Sequence, residues 1–511
     1  MKLTNSKLIS NADSRAIHVL GLPSTTLMTN ASKFVADTAL ELMGSNKSAI
    51  IFCGSGNNGG DGIGAALYLL RHGVSVRCFL IGRREKMTPD TAEMERRFIE
   101  IGGALENFSL ENDELKNLAN EAGVIVDAII GTGLSSAPRD RALAAIKIIN
   151  ASAAPVVSAD IPSGVSADSG QVLNEAVKAD ITVTFSMAKI GHFAEPGCTF
   201  CGELRVVDIG IPAELLRDAE TNTIAVNAKE ISLPRRPKIS HKGDYGRLLI
   251  IGGSVGYTGA PALCAAAAVR SGAGLVSLGV PQEIYGITAG RLWEPMPFPL
   301  ADDGNGKIDL AALPIILEKL SASDACVIGC GLSRSEGLKQ LVQSLLMANA
   351  KPLVIDADGL FALGSDPQTI LSAQKPPILT PHEGEFLRLG GTLSGDRVSD
   401  ARSFAKSREC ILVLKGHRTI CAFPDGEVYI INAGNPGMAK GGSGDVLAGI
   451  IGAQLGFLPT KQAVITACLI HAAAGDYAAE CYGEYSMLPT DIIEAIPKIM
   501  KSMTDQNYEA Y

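Results

Sequence analysis

"SAIIFCGSGNNGGDGIGAALYLLRHG", residues 48–73, decides the fold of the first half of this chain. The apolar run "SAIIF" reads as a buried strand and "IGAALYLLRHG" has helical spacing. Between them "CGSGNNGGDG" (53–62) packs five glycines around Asn57, Asn58 and Asp61. In a strand–loop–helix unit, glycines let backbone N–H groups crowd around an anion at the helix N-terminus, which suits a pyrophosphate. The lysine of a Walker loop is missing. An ordinary NAD site expects an acid at the end of the second strand, and here that strand runs "FLIGRREK", with Arg83 and Arg84 instead. A plain tight turn has no need of Asn-Asn-Gly-Gly-Asp. The amides and the carboxylate offer oxygens to a hard cation, or hydrogen bonds to a sugar or amide.

Outward from this loop the rhythm repeats. "SVRCFLI", "VIVDAII", "PVVSADI", "ITVTFS" and "LRVVDIG" read as buried strands, most followed by a helix-like segment. That alternation predicts a parallel sheet covered on both faces, with ligands beyond the carboxyl ends of its strands. Asp127 closes "VIVD" and Asp160 closes "VVSAD", with Ser163 just past Pro162. Acids there serve function or cap the next helix. Asn58, Asp127 and Ser163 together make an oxygen-rich set suited to a monovalent cation, and no His or Cys cluster accompanies them to favour a transition metal.

Residues 213–240, "AELLRDAETNTIAVNAKEISLPRRPKIS", break the rhythm and mark a domain junction. A second series starts with "GRLLIIGGS" and continues through "GLVSLGV", "ACVIGCG", "PLVIDAD", "PILTP", "CILVLKG" and "EVYIIN". Near its end stands "NPGMAKGGSGDVLAGII" (435–451). "GGSGD" opens an apolar helix, so the N–H groups of Gly442 to Gly444 form an anion hole at the positive end of the dipole. Asp445 falls in the first turn, where a carboxylate can deprotonate a hydroxyl as it attacks phosphorus. The halves show no repeat of one another. The expectation is an α/β protein of two different three-layer αβα domains.

The bulk numbers exclude several classes. The chain has 511 residues, 46% hydrophobic and 19% charged, and a net charge of −9. Its only basic clusters are "GRREK" and "LPRRP", which argues against a nucleic-acid partner. Eleven cysteines without a disulfide-like framework suit a reducing compartment. The C-x-x-C of Cys198 and Cys201 lacks the second pair that a structural zinc needs. No apolar run reaches the roughly 18 residues of a membrane span, and "MKLTNSKLISNADSR" lacks the apolar core of a signal peptide. A cytoplasmic protein with no membrane partner is expected.

"GSGNNGGDG", "VDAIIGTG", "DIPSG" and "AKIGHFAEPG", in that order, resemble the YjeF N-terminal domain family, the NAD(P)HX epimerases, over residues 1–217. The resemblance implies a Rossmann-like domain. In it Asn57, Asn58, Gly59, Gly60, Asp61, Gly131, Thr132, Gly133, Leu134, Ser135, Ser136, Ala137 and Asp160 contact the hydrated dinucleotide. It also implies potassium (K+) on Asn58, Asp127 and Ser163. Asp160 is then the leading acid/base, with Asp127 second because the cation would hold it. Two departures are "LMTNAS" where the family tends to have "LMENAG", and Ser55 where Pro is usual.

"HKGDYGRLLIIGGSVGYTGAPALCAAAAVRSGAGLV" (241–276), "GCGLSRS", "LTPHEGEF", "VLKGHRT" and the "GGSGD" helix resemble the ribokinase-like ADP- or ATP-dependent NAD(P)HX dehydratases over residues 225–505. By that resemblance Ala260, Gly331, His382 and Asp445 touch the hydrated nicotinamide nucleotide (NADHX or NADPHX). Lys415, Gly416, His417, Arg418, Thr419 and Gly444 hold the adenine nucleotide, and Mg2+ assists. A fused chain resembles the ADP-using type and a homo-oligomer, a tetramer or larger. In "GCGLSRS" Ser333 stands where a glycine commonly follows the leucine, and is expected to tighten that turn. Two rival readings explain less. A ribokinase-superfamily small-molecule kinase, such as a hydroxymethylthiazole kinase, accounts neither for "GGSVGYTGAP" nor for the first half. A dimerising scaffold of RNA-decay type loses the polar ligands that Asn58, Asp127, Asp160 and Ser163 retain here.

Overall fold

The runs that read as continuous apolar stretches are strands covered on both faces. The computed structural model describes residues 1–109, 113–230 and 232–505, and it divides into two compact units, Met1–Thr223 and Ile224–Tyr511. In the first unit lie β1 (Ser48–Cys53), β2 (Ser75–Leu80), β3 (Leu105–Asn107), β4 (Val124–Ala128), β5 (Val156–Ala159), β6 (Ile181–Phe185) and β7 (Glu203–Val207). They form one sheet in the order β3-β2-β1-β4-β5-β6-β7, all parallel. Alternate residues enter different cores. Ile50, Phe52 and Ile125 pack on one face, and Ile51, Cys53, Val124 and Val126 on the other. Burial on both sides removes the polar alternation that a one-sided strand would show.

The strand order reverses between β1 and β4, which is where such sheets open a crevice. The Gly-rich loop after β1 and the "GTG" loop after β4 therefore meet, and Gly54 N–H donates to the Ala128 carbonyl at 2.9 Å. Helix Asn57–Arg71 lies close against the sheet because its glycines carry no side chain. A Cβ on Gly62 would stand 2.5 Å from the Ala128 Cβ.

The second unit holds β8 (Thr223–Val226), β9 (Arg247–Ile251), β10 (Leu275–Pro281), β11 (Met296–Leu300), β12 (Ala325–Ile328), β13 (Leu353–Ile355), β14 (Ile378–Leu379), β15 (Ile411–Leu414), β16 (Ile420–Ala422) and β17 (Val428–Ile431). Their order is β11-β10-β9-β12-β13-β14-β15-β16-β17-β8. The pairs from β11 to β15 are parallel, whereas β15, β16 and β17 pair antiparallel. Helix Ser443–Gln454 is buried from Val446 to Gln454. It can approach helix Gly259–Arg270 because Gly449 has no Cβ, which would lie 2.1 Å from the Cys264 carbonyl oxygen.

Four strands escape the sequence pattern for physical reasons, and the first, β3, is a three-residue edge strand, "LEN", too short to show a period. β11, "MPFPL", carries Pro297 and Pro299, which only an edge strand tolerates. β16 is three residues long and joins β17 through a turn at Gly426, where φ is +90°. β8 lies within the polar stretch read as a junction, and Asn432 N–H donates to its Val226 carbonyl at 2.9 Å. Among the described residues no helix is long and apolar enough to cross a membrane.

Candidate active sites

In the first unit a cavity of about 650 Å³ opens at the carboxyl ends of β1, β4 and β5. Asn58, Asp61, Gly131, Thr132, Gly133 and Asp160 line it. The loop residues Leu134, Ser135, Ser136 and Ala137 lie outside its wall. Gly59 and Gly60 form the first turn of helix Asn57–Arg71, and Gly59 passes so close to Gly54 that a Cβ would stand 1.9 Å from the Gly54 carbonyl oxygen. Asn57 is exposed and accepts from Thr88 Oγ1 at 2.7 Å. Asn58 differs. Its Oδ1 and Nδ2 are both buried, with no hydrogen-bond partner among the described residues. Buried amides are ordinarily paired, which sets this one apart.

Asp127 is fully buried and already saturated. Oδ1 accepts from Ser163 Oγ at 2.6 Å and Ile129 N–H at 3.3 Å, while Oδ2 accepts from Ser158 Oγ and Ser163 N–H, each at 2.9 Å. Burial nonetheless raises its pKa. It does not line the cavity and serves to fix Ser163.

Asp160 does line it, from a backbone with φ +66° that non-glycine residues seldom adopt. Its Oδ1 accepts from Thr184 Oγ1 at 3.0 Å and from Lys189 Nζ. Lys189 also donates to Thr184 Oγ1 at 2.8 Å and to the Phe185 carbonyl at 3.3 Å. His192 fastens the pair: Nε2 donates to the Asp160 carbonyl at 2.9 Å, and Nδ1 accepts from Lys189 N–H at 3.0 Å. That is one neutral tautomer, and burial pushes the His192 pKa down to about 4. Burial drives the Asp160 carboxyl up, but the Lys189 ammonium outweighs it and leaves the group below its usual value. Two more carboxyls share the cavity. Burial, then the charges of Asp160 and Asp13, holds Asp61 well above the carboxylate range. Asp13, on helix Ser6–His18, is raised to about 6, chiefly by burial. The sequence reading quoted Lys189 and His192 inside "AKIGHFAEPG" without giving either a role, and it passed over Asp13.

The "LMTNAS" departure is accommodated locally. Asn30 Nδ2 still donates to the Ile209 carbonyl at 2.8 Å. Ser32 takes the position of the family's glycine and fits because residue 64 is Gly, where a Cβ would lie 2.1 Å from Ser32 Oγ.

In the second unit Gly442, at φ +102°, turns the chain into helix Ser443–Gln454, and Asp445 stands in the first turn. Donor atoms of Asp445, Asp356 and Cys330 lie within 4.8 Å of one another. Lys415 Nζ is 2.9 Å from Asp356 Oδ1 and 3.8 Å from Glu385 Oε2. It also stands 3.3 Å from where a Cβ of Gly444 would be. Lys415 therefore sits at the N-terminal end of the helix. Burial would lower its pKa, but the Asp356 and Glu385 carboxylates raise it. Burial, then the Asp356 charge, raises Asp445 to about 6. The neighbouring Cys264 thiol and burial push the Cys330 thiol well up, so it stays protonated beside Asp445. His471, pushed down to about 4 by burial, meets Ser443 Oγ at 3.3 Å.

The other expected residues form two groups. Gly331 and Ala260 adjoin, since a Cβ on Gly331 would stand 3.0 Å from the Ala260 Cβ. His382 caps helix Glu383–Arg388: Nδ1 accepts from Gly384 N–H at 3.0 Å, while its own N–H donates to Glu385 Oε2 at 2.9 Å. Gly416, His417, Arg418 and Thr419 continue the loop after Lys415, between β15 and β16. Asp356, at the end of "PLVID", was missed, although the strand-end rule that found Asp127 and Asp160 applies to it equally. Ser333 has φ +61°, in the region glycine favours, and its N–H donates to Asp358 Oδ2 at 2.8 Å.

Comparison with known proteins agrees with both halves. Residues 24–191 match the family model described as YjeF-related protein N-terminus, and residues 248–498 match NAD(P)H-hydrate dehydratase. The bifunctional NAD(P)H-hydrate repair enzyme Nnr of Moorella thermoacetica is 39% identical over 99% of this chain and 98% of its own length. That of Escherichia coli is 34% identical over 98% and 94%. The ADP/ATP-dependent NAD(P)H-hydrate dehydratase of Bacillus subtilis, co-crystallised with ATP and Mg2+, is 29% identical, with a TM-score of 0.46 over 54% of this chain and 96% of that one. Similarity at this level along the whole length places the chain in the family of bifunctional NAD(P)H-hydrate repair enzymes.

Proposed function

We propose that the protein repairs hydrated NADH and NADPH in two steps, the first unit interconverting the R and S epimers and the second dehydrating the S epimer with ADP. The observation that carries the reading is the convergence in the second unit. A helix N-terminus built of glycines, the Lys415 ammonium and a carboxylate, Asp445, meet at one place.

NAD(P)HX carries a hydroxyl at C6 of the reduced nicotinamide ring, a poor leaving group. Asp445 takes the hydroxyl proton as its oxygen attacks the terminal phosphorus of ADP, releasing AMP. The N–H groups of Gly442 and Gly444 and the Lys415 ammonium stabilise charge on the transferred phosphate. The Ser443 N–H, expected to join them, instead donates to the Lys440 carbonyl at 3.2 Å. The N1 lone pair then forms a C6=N1 bond as the C6–O bond breaks and phosphate leaves. Loss of a proton from C5 to solvent forms the C5=C6 bond and returns the C6=N1 pair to N1, regenerating NAD(P)H. The hard carboxylate oxygens of Asp356 fit Mg2+, whereas the protonated Cys330 thiol does not, and Asp445 is kept for the proton. Bound Mg2+ would supply charge neutralisation for the nucleotide phosphates. Ala260, Gly331 and His382 are assigned to the nicotinamide nucleotide, and Gly416 to Thr419 to the adenine nucleotide.

In the first unit the donor set is the oxygens of Asn58 and Ser163 with Asp127, a single carboxylate, which suits potassium better than a divalent ion. Asp127 already accepts four hydrogen bonds and would contribute chiefly its charge. The unpartnered Asn58 Oδ1 is the observation that fits such an ion. Bound potassium would offset the charge of the substrate pyrophosphate at the Gly-rich loop. A cytoplasmic homo-oligomer completes the reading.

The test is to incubate the full chain with an R/S mixture of NADHX and either ADP or ATP, following absorbance of regenerated NADH. Complete conversion with ADP is the expected result. No conversion with either nucleotide overturns the dehydratase assignment, and a stop once the S epimer is consumed overturns the epimerase assignment.

A further inference from the structure

We propose that Asp13, on the N-terminal helix, is a second catalytic carboxyl of the first unit, serving one face of the nicotinamide ring while Asp160 serves the other. The inference rests on the epimerase reading above and goes beyond it by naming the acid that this reaction needs.

Inverting C6 requires oxygen to leave from one face and return to the other. In the step, the N1 lone pair forms a C6=N1 bond as the C6–O bond breaks. The bonding pair leaves on oxygen, and the proton of Asp13 makes that oxygen a water. A water then adds to C6 from the opposite face, the C6=N1 pair returns to N1, and Asp160 accepts the added water's proton. The reverse reaction moves the proton from Asp160 to Asp13, and solvent restores the starting state. The intermediate is a cation, which the Asp160 carboxylate stabilises electrostatically. One carboxyl on one wall cannot perform both halves.

The titratable groups around the cavity narrow the choice. Asp127 is saturated and outside it. Lys189 already has three acceptors, Asp160, Thr184 and Phe185. Asp90 is tied to Ser24 Oγ at 2.7 Å. Asp61 stands on helix Asn57–Arg71, behind the Gly-rich loop assigned to the pyrophosphate and not to the ring. Asp13 remains. It lines the cavity on a different element from Asp160 and has no hydrogen-bond or ion-pair partner among the described residues. It shares that cavity with the unpartnered amide of Asn58, so the space around it is a ligand site.

The backbone explains why this helix stands at the cavity. Thr4 N–H donates to the Ala188 carbonyl at 3.0 Å, and Ile190 N–H donates to the Thr4 carbonyl at 3.1 Å. The chain just before the helix is thus clamped on both sides of Lys189. Ser6 adds two bonds to the Asp168 carboxylate, at 2.6 and 2.7 Å, and Asn5 caps the helix through Leu8 N–H at 2.8 Å.

The groups facing Asp13 are Lys189, Asp160 and Asp61. Its own helix presents Ile9, Ser10, Ala16 and Ile17 at the adjacent turns, and the second helix presents Leu27, Met28 and Ala31, none of them charged. Lys189 keeps Asp160 ionised, so the single working proton resides on Asp13. It is lost as pH rises through about 6, and epimerisation then slows about tenfold per further pH unit.

The experiment follows R-to-S conversion of NADHX by chromatography, without nucleotide, from pH 5 to 9, for the full-length wild type, Asp13→Asn and Asp13→Glu. Spontaneous epimerisation is subtracted. Asp13→Asn is expected to lower kcat by about 10²–10⁴-fold with KM little changed, and to abolish the limb near pH 6. Asp13→Glu, which restores a carboxyl, is expected to recover part of the rate and the limb. Circular dichroism and thermal unfolding check that each variant is folded. A folded Asp13→Asn at wild-type rate with an unchanged limb overturns the role of Asp13. If Asp13→Asn does not fold, a folded Asp13→Glu without the limb overturns it and one with the limb supports it. A wild type that fails to interconvert the epimers overturns the epimerase reading itself, a separate outcome.

Discussion

Lys189 and Asp160 form an ion pair whose side chains are 1% and 12% exposed, in a cavity that Asp13 and Asp61 also line. Neither charge is stable there alone. Removing the ammonium leaves an uncompensated buried carboxylate, a loss of about 3–5 kcal/mol in comparable pairs.

Lys189→Met should therefore unfold at markedly lower urea concentration than the wild type. The double variant Lys189→Met/Asp160→Asn should recover most of the loss, because it removes the stranded charge while Asn still tolerates the positive φ of position 160. A double variant no more stable than the single one would contradict the pair's electrostatic role.

Asp445→Asn should lower dehydratase kcat by about 10²–10⁴-fold and yet raise the melting temperature at pH 8. The carboxyl titrates at about 6 in the folded state against 3.8 in the unfolded chain, so the folded state binds more protons between those values. Stability then falls as pH rises through that window, and the penalty is complete above it. The neutral amide escapes the penalty, and the difference between variants should vanish below about pH 4.

Dehydration should depend on pH with the opposite sign to epimerisation. Asp445 works as a base, so kcat/KM should rise with pH through about 6 and level off above it. Lys415→Met should move that limb to higher pH, since the Lys415 ammonium lowers the Asp445 pKa. A stationary limb would show that another group controls it.

Potassium should raise the melting temperature of the wild type and accelerate epimerisation relative to a large organic cation at equal ionic strength. Asn58→Ala should remove both responses, because it deletes the buried oxygen that has no protein partner. An unchanged potassium response in Asn58→Ala would reduce the two asparagines to turn-formers.

Ser333→Gly should stabilise the second unit by about 1 kcal/mol, the cost of holding an L side chain in the left-handed region. Chemical denaturation of the wild type and the variant would measure it.

The sites were legible where chemistry is contiguous along the chain. "CGSGNNGGDG" and "GGSGD" each place their polar residues close to a helix start, so Asn58, Asp61 and Asp445 could be read directly. Lys189 and Asp13 could not, because what gives them meaning is a pairing across 185 residues, the bridge between Thr4 and Lys189. Asp13 on its own is an ordinary acid on an amphipathic helix. Asp356 was accessible to the strand-end rule, but its partner Lys415 comes from another strand 59 residues on. β11 was hidden by prolines that an edge position permits.

That bridge sets an order of events during synthesis. A ribosome adds about 5–20 residues per second, so roughly 10–40 s separate the emergence of Thr4 from that of Lys189. Throughout that interval the helix bearing Asp13 has no strand to anchor it, and its Ile9, Ala12 and Ala16 face water or a chaperone. The earliest part of the epimerase site to be translated is the last to be put in place.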